Sequence, residues 1–191
     1  MLENYRIILA SNSPRRQELL KGLELDFEII TIPGLDESYP ETLTGEEIPL
    51  FLAKKKSEAY SAYLQNNTMI ITADTIVWLE NTVLGKPENR EDAIRMLQTL
   101  SGKTHQVFTG VCIKTLKKEV LFCVASDVRF AALTYEDILF YVNKYKPYDK
   151  AGSYGVQEWI GYVAVEHING SFYNIMGLPV QRLYRELKGF E

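Results

Sequence analysis

The sequence predicts an α/β fold: a mixed β-sheet with flanking helices. Three observations carry that expectation. The first half alternates short apolar runs with stretches of helical period, the sign of strands joined by helices. Residues 105–116 and 119–131 then form two long strand patterns around Lys117-Lys118, the sign of an antiparallel hairpin. A chain of 191 residues, 46% hydrophobic and 24% charged, also buries a sizeable core without disulfides or a structural metal. Its length fits a single domain over residues 1–191.

Tyr5–Ala10 reads as a short buried strand. Ser13-Pro14 opens a helix, with Ser13 as N-cap and Pro14 at the first helical position, where its missing N–H would have no partner anyway. Leu19, Leu20 and Leu23 give that helix an apolar side, and Phe27–Ile32 forms a second strand before the turn-like Pro33-Gly34. Thr44-Gly45-Glu46-Glu47 is a capping-box signature, after which Ile48, Phe51, Leu52, Ala59, Ala62 and Tyr63 keep a helical period. Thr68–Ala73 is a near-continuous apolar strand ending at Asp74, and residues 76–84 form a short hairpin turning near Glu80-Asn81. Ala93, Met96, Leu97 and Leu100 mark an amphipathic helix closed by Ser101-Gly102. With the later turn centred on Lys117-Lys118, Cys112 lies opposite Cys123; a reducing setting predicts free thiols there. Thr134–Val142 reads as helix, Tyr162–Val165 as strand, and Asn174–Leu187 as a C-terminal helix with Pro179 in its first turns.

Composition narrows the function. A net charge of −4 argues against a general nucleic-acid binder, whose affinity rests on neutralising phosphates, but leaves room for a local basic pocket. The two cysteines form no CxxC or Cys/His cluster, so a zinc site is not expected. Met1–Arg6 carries no basic region ahead of an apolar run, and no window approaches the length of a membrane span. A cytoplasmic protein without membrane partners is the expectation.

The sharpest chemical segment is LASNSPRRQELL at 9–20. A buried strand delivers Ser11 and Ser13, then Arg15 and Arg16, to a helix N-terminus whose free N–H groups and dipole favour an anion. Two cations in a first helical turn oppose that dipole, and an anionic ligand removes the conflict; solvated arginines on a plain capped helix are the alternative. Asp74, after an apolar strand, is the second candidate, set against an ordinary turn carboxylate. Gly85-Lys86-Pro87 offers a phosphate-binding Lys without the P-loop pattern, or simply a turn. Lys56 in the run Lys54-Lys55-Lys56 could face inward, Asp36-Glu37 adds carboxylates, and Asp149–Gln157 is a glycine-punctuated loop able to approach a ligand by its backbone. No Ser–His–Asp or Cys–His triad assembles. Cations, hydroxyls and carboxylates together suit phosphate chemistry with a divalent metal.

These segments resemble the Maf family of nucleotide pyrophosphatases. LASNSPRRQELL, Asp36-Glu37, Leu52–Lys56, Ala73-Asp74-Thr75, Gly85-Lys86-Pro87, Ser101–His105, Thr109-Gly110-Val111, Asp149–Gln157 and Asn169–Pro179 fall in family order along nearly the whole chain. The resemblance implies two lobes around a central cleft, related to the inosine-triphosphate pyrophosphatases, and a metal-dependent hydrolase acting with Mg²⁺ or Mn²⁺. It makes Asp74 the catalytic proton acceptor and, with Glu37, a metal ligand. Ser11, Arg16, Lys56 and Lys86 become substrate-binding residues. The subgroup resembled acts on dTTP and UTP, and its specificity marks correspond to Arg15, Thr75 and Gln157. It further implies a nucleotide as small-molecule partner and a homodimer. A non-catalytic interaction protein affecting septum formation is the alternative. Two departures stand out: Glu158 where a Gly is common, and Ser57 for a frequent Ala.

Overall fold

The computed structural model describes Leu2 and residues 4–190. Its elements are β1 Arg6–Leu9, α1 Pro14–Lys21, β2 Phe27–Ile29, α2 Glu47–Ala59, β3 Thr68–Leu79, β4 Thr82–Leu84, α3 Arg90–Leu100, β5 Thr104–Lys114, β6 Glu119–Phe130, α4 Tyr135–Tyr145, α5 Trp159–Ala164, β7 Val165–Asn169, α6 Phe172–Met176 and α7 Val180–Leu187. Short 3-10 turns lie at Ser61–Tyr63, Ala151–Ser153 and Lys188–Phe190. The sheet order is β2-β1-β3-β5-β6-β7, with β4 paired to β3. β1 runs parallel to β2 and β3, whereas β4 is antiparallel to β3 and β7 antiparallel to β6. The mixed sheet and its flanking helices are those the sequence predicts.

The chain forms two compact units. The first comprises Met1–Asp74, Thr109–Val124 and Gly177–Glu191, the second Thr75–Phe108 and Ala125–Met176. In the first, Ile8, Leu9, Ile70 and Ile71 have no exposed surface, as expected of parallel strands covered on both faces. Helix α2 lies very close to β5: a Cβ added at Gly110 would come within 2.3 Å of the Pro49 carbonyl oxygen. The Thr72 hydroxyl donates to the Ala53 carbonyl at 2.6 Å and so fastens β3 to the same helix. In the second unit, Leu97 and Leu100 of α3, Val128 and Phe130 of β6 and Tyr141 of α4 meet in one core. The hairpin turn uses Glu80 and Asn81 at φ 49° and 63°, the left-handed pair that matches strand twist. Helix α4 starts on a full capping box between Thr134 and Asp137.

Several expectations need correction. β3 does not end at Asp74 but continues to Leu79, because residues 77–79 gain a new partner in β4. Asp74 therefore sits mid-strand, beyond the last β1 pairing at Leu9 and Ile71. Residues 162–164 are helical, not strand: the Gly161 amide donates to the Glu158 carbonyl at 2.9 Å, closing a turn, and only Val165–Asn169 pairs with β6. The C-terminal helix is two helices, broken where Gly177 adopts φ 114° and Pro179 withholds a donor. The β5–β6 turn has the Thr115 amide donating to the Lys118 carbonyl at 2.8 Å, so its central residues are Leu116 and Lys117. Continued at that register, Cys112 faces Leu121 instead of Cys123; both thiols are free.

One core residue links this packing to pH. His105 is buried, 2.7 Å from the Tyr154 hydroxyl and edge-on to Phe130 and Tyr154. Burial pulls its pKa from an ordinary 6.5 down to about 4. The unfolded chain takes up that proton first, so stability is full above the unfolded pKa and drains as pH falls towards the folded one. Urea unfolding at pH 7 and pH 4.5 should cost the wild type ~2 kcal/mol more than His105→Gln over the same interval. Equal losses would show that His105 is not the buried titrating group.

Candidate active site

The first unit holds six of the nine candidate residues, Ser11, Arg15, Arg16, Glu37, Lys56 and Asp74, and charge interactions link the last five. Ser11 follows β1 and is buried; its Oγ accepts from the Ser13 amide at 3.2 Å, while its carbonyl accepts from Gln17 Nε2 at 3.1 Å. The loop into α1 is thus shaped by its own serines, and Ser13 caps the helix as the Ser-Pro pair predicts. Arg16, in the first turn of α1, donates from Nε to the Gly177 carbonyl at 2.8 Å. Burial pulls the Arg16 guanidinium below its ordinary pKa; Asp74 and Glu37 push back upward, and neighbouring Arg15 adds to the fall.

Lys56 is the centre of the group. It lies three residues beyond Ala53 on α2, and Asp74 lies two residues beyond Thr72 on β3, so the Thr72–Ala53 hydrogen bond aligns one helical turn with one strand repeat. Its ammonium reaches Asp74 Oδ1 at 2.5 Å and Glu37 Oε1 at 2.8 Å. The side chains of Lys56 and Asp74 are each only 12% exposed, against 50% for Glu37, so the inner pair bears the greater desolvation. Adjacent residues brace the outer arm: Lys55 Nζ reaches Asp36 Oδ2 at 2.7 Å and the Ser38 carbonyl at 2.8 Å. Lys55 and the Ser38 amide hold the Asp36 carboxyl well below the usual carboxylate range. Consecutive lysines therefore grip consecutive acids. Sequence reading singled out Lys56 and Glu37 but missed the supporting Lys55, Thr72 and Gly177. The KKK run was the visible signal for Lys55; a carbonyl 161 residues from Arg16 left none.

Thr75 follows Asp74 on β3, where the pleat turns successive side chains to opposite faces. In the second unit, Lys86 is exposed in the turn after β4. The Gly152 amide donates to the Gly85 carbonyl at 3.0 Å, tying the Asp149–Gln157 loop to the Lys86 turn. Gln157 is half-buried, and among the described residues its buried Oε1 has no hydrogen-bond partner. A separate cavity of about 580 Å³ in this unit, lined by Trp78, Lys103, Asp127 and Arg129 among others, contains none of the candidates. Among the described residues no three His, Cys, Asp or Glu converge as a ready metal cage, and no helix is long and apolar enough to cross a membrane.

A mixed α/β sheet flanked by helices is the architecture of the Staphylococcus aureus Ham1 protein, which aligns with a TM-score of 0.56 at 20% identity, covering 97% of this chain and all of that one. The Coxiella burnetii HAM1 protein aligns at 0.50 and 14% identity, covering 97% of this chain and 99% of that one. The Maf-like protein family model matches residues 6–190, so the chain belongs to that family. It is 60% identical over 193 residues to the dTTP/UTP pyrophosphatase of Parabacteroides distasonis, with 100% of both chains covered. It is 59% identical over 187 residues to that of Bacteroides thetaiotaomicron, covering 98% of this chain and 97% of the relative.

The inner ion pair is testable without substrate. Lys56→Met leaves Asp74 buried without its nearest cation and should cost ~3 kcal/mol, while the Lys56→Met/Asp74→Asn double variant recovers ~2 kcal/mol of the summed single losses. Urea denaturation of the four proteins measures the coupling. A value near zero would contradict the pairing.

Proposed function

We propose that the chain hydrolyses dTTP and UTP to the nucleoside monophosphate and pyrophosphate. The observation that carries this reading is the buried Asp74 carboxylate held among Lys56 and Arg16, in a chain whose 54–60% identical relatives bear that activity in their names. Arg15, Arg16 and Lys56, grouped with the carboxylates Glu37 and Asp74, are the side-chain types that take phosphate oxygens.

In this reading, Arg16 and Lys56 take up phosphate oxygens, with Ser11 donating through its hydroxyl and Lys86 supplying a further cation. As Lys56 turns to the triphosphate, Asp74 loses its partner and accepts the proton of the water attacking the α-phosphorus. The cations stabilise the charge that develops on the departing pyrophosphate. Glu37 and Asp74 are hard oxygen donors already sharing one cation, the Lys56 ammonium, and such a pair would suit and hold Mg²⁺ or Mn²⁺. When bound, that ion neutralises polyphosphate charge. Arg15, Thr75 and Gln157 read the base: thymine and uracil offer two carbonyl acceptors and one N–H donor, which a guanidinium or hydroxyl and an amide oxygen satisfy. A cytoplasmic nucleotide pool is the matching setting.

Purified protein incubated with Mg²⁺ or Mn²⁺ and a panel of triphosphates should release pyrophosphate and monophosphate, fastest from dTTP and UTP. Asp74→Asn should lower turnover by about 10²–10⁴-fold. Release of orthophosphate, or near-normal turnover in the variant, overturns the assignment.

A further inference from the structure

The side chain of the residue after Gln157 is not a solvated bystander. Glu158 is 19% exposed at its side chain and has a partner at each carboxylate oxygen: Lys150 Nζ lies 3.2 Å from Oε1, and the Tyr141 hydroxyl donates a short hydrogen bond to Oε2. The same hydroxyl accepts from the Gly155 amide at 3.0 Å. The Glu158 amide in turn donates to the Gly155 carbonyl at 3.0 Å, closing the four-residue turn Gly155-Val156-Gln157-Glu158. Both ends of the turn that presents Gln157 are thereby fastened to one phenol on α4.

The remaining contacts make this attachment rigid. Tyr141 is fully buried in the second unit's core, and its pKa lies far above the usual phenol range, first through burial and then through the bond to Glu158. It therefore remains a donor at any working pH. Lys150, also buried, pairs with Asp149 Oδ1 at 2.8 Å as well as with Glu158, joining the start of the loop to its end. Space is tight: a Cβ at Gly155 would come within 2.9 Å of the Glu158 carboxyl carbon.

We propose that Tyr141, Glu158 and Lys150 form a clamp that positions Gln157 and sets the discrimination of thymine and uracil from cytosine. This rests on the pyrophosphatase reading above and goes one step into it. A carboxamide that swings can meet cytosine's reversed donor and acceptor edge with its other end. Burial of Oε1 holds the acceptor end of Gln157 inward, and a fixed backbone keeps that end in place for the N3–H that thymine and uracil carry and cytosine lacks. Glu158 acts through Gln157 and touches no reacting atom; it is a positioning residue.

The test is steady-state pyrophosphate release from dTTP, UTP and CTP by wild type, Glu158→Ala, Glu158→Gln and Tyr141→Phe, with thermal melts alongside. Glu158→Ala should raise KM for dTTP about tenfold while kcat moves less than about threefold, and should cut the dTTP-to-CTP ratio of kcat/KM about tenfold. Glu158→Gln, which keeps an acceptor for the Tyr141 hydroxyl, should recover most of that ratio. Tyr141→Phe removes only an oxygen and should reproduce the Glu158→Ala effect, so it carries the test if Glu158→Ala fails to fold. Folded variants with wild-type KM and wild-type discrimination overturn the clamp alone. Wild type inert on the whole panel overturns the pyrophosphatase reading and the clamp with it.

Discussion

The site in the first unit depends on one ammonium placed between two carboxylates. Lys56 and Asp74 have given up most of their hydration, and such a pair repays the loss only when geometry is held firmly. The holding is done by backbone. Gly110 lets α2 approach β5 as no side chain would allow, and Thr72 pins that helix to β3 two residues before Asp74. The Asp36–Ser38 turn then brings Glu37 to the outer side of the ammonium, with Lys55 as its brace. Remove the close helix approach and there is no reason for a lysine to meet a mid-strand aspartate.

Arg16 faces the opposite problem. Its guanidinium is dehydrated, beside Arg15 and near the positive end of α1. The Gly177 carbonyl and the fields of Asp74 and Glu37 work against that cost. A polyphosphate bound as proposed would draw on the same cations that hold Asp74. In the proposed reaction, binding and activation are coupled for that reason: the charge that would attract the triphosphate is the charge whose departure would free the carboxylate to take a proton.

Local rules made much of this visible in the sequence. Ser13-Pro14 fixed the start of α1, Glu80-Asn81 the hairpin turn, and Thr134 with Asp137 the start of α4, because caps and left-handed turns are decided by three or four neighbouring residues. What pattern alone misjudged was settled at a distance. The end of β3 depends on whether β4 arrives to pair with it, and the apolar stretch at 162–165 matches strand and short helix equally until Gly161 closes on Glu158. Asp74 was legible as a residue type at the end of an apolar run, but its partner Lys56 was one of three identical lysines, and only the helix placement selects among them. Tyr141 gave no signal at all, since α4 periodicity assigns it to the core and its hydroxyl's work is invisible in a list of apolar positions.

The loop before α5 is held by contacts of its own in the second unit. Gly152 and Ser153 both adopt left-handed backbone, at φ 66° and 61°, and the Ser153 Oγ is buried without a hydrogen-bond partner among the described residues. Strain of this kind persists only where surrounding contacts over-determine the conformation. Here they are the Gly85 carbonyl, the Ser153 amide bonded to the Lys150 carbonyl, and the Tyr141–Glu158–Lys150 contacts at the far end. The Glu158 carboxylate tethers the loop through both of its oxygens, to Lys150 and to Tyr141. Removal of Lys56, by contrast, leaves the Asp74 carboxylate buried without its nearest cation.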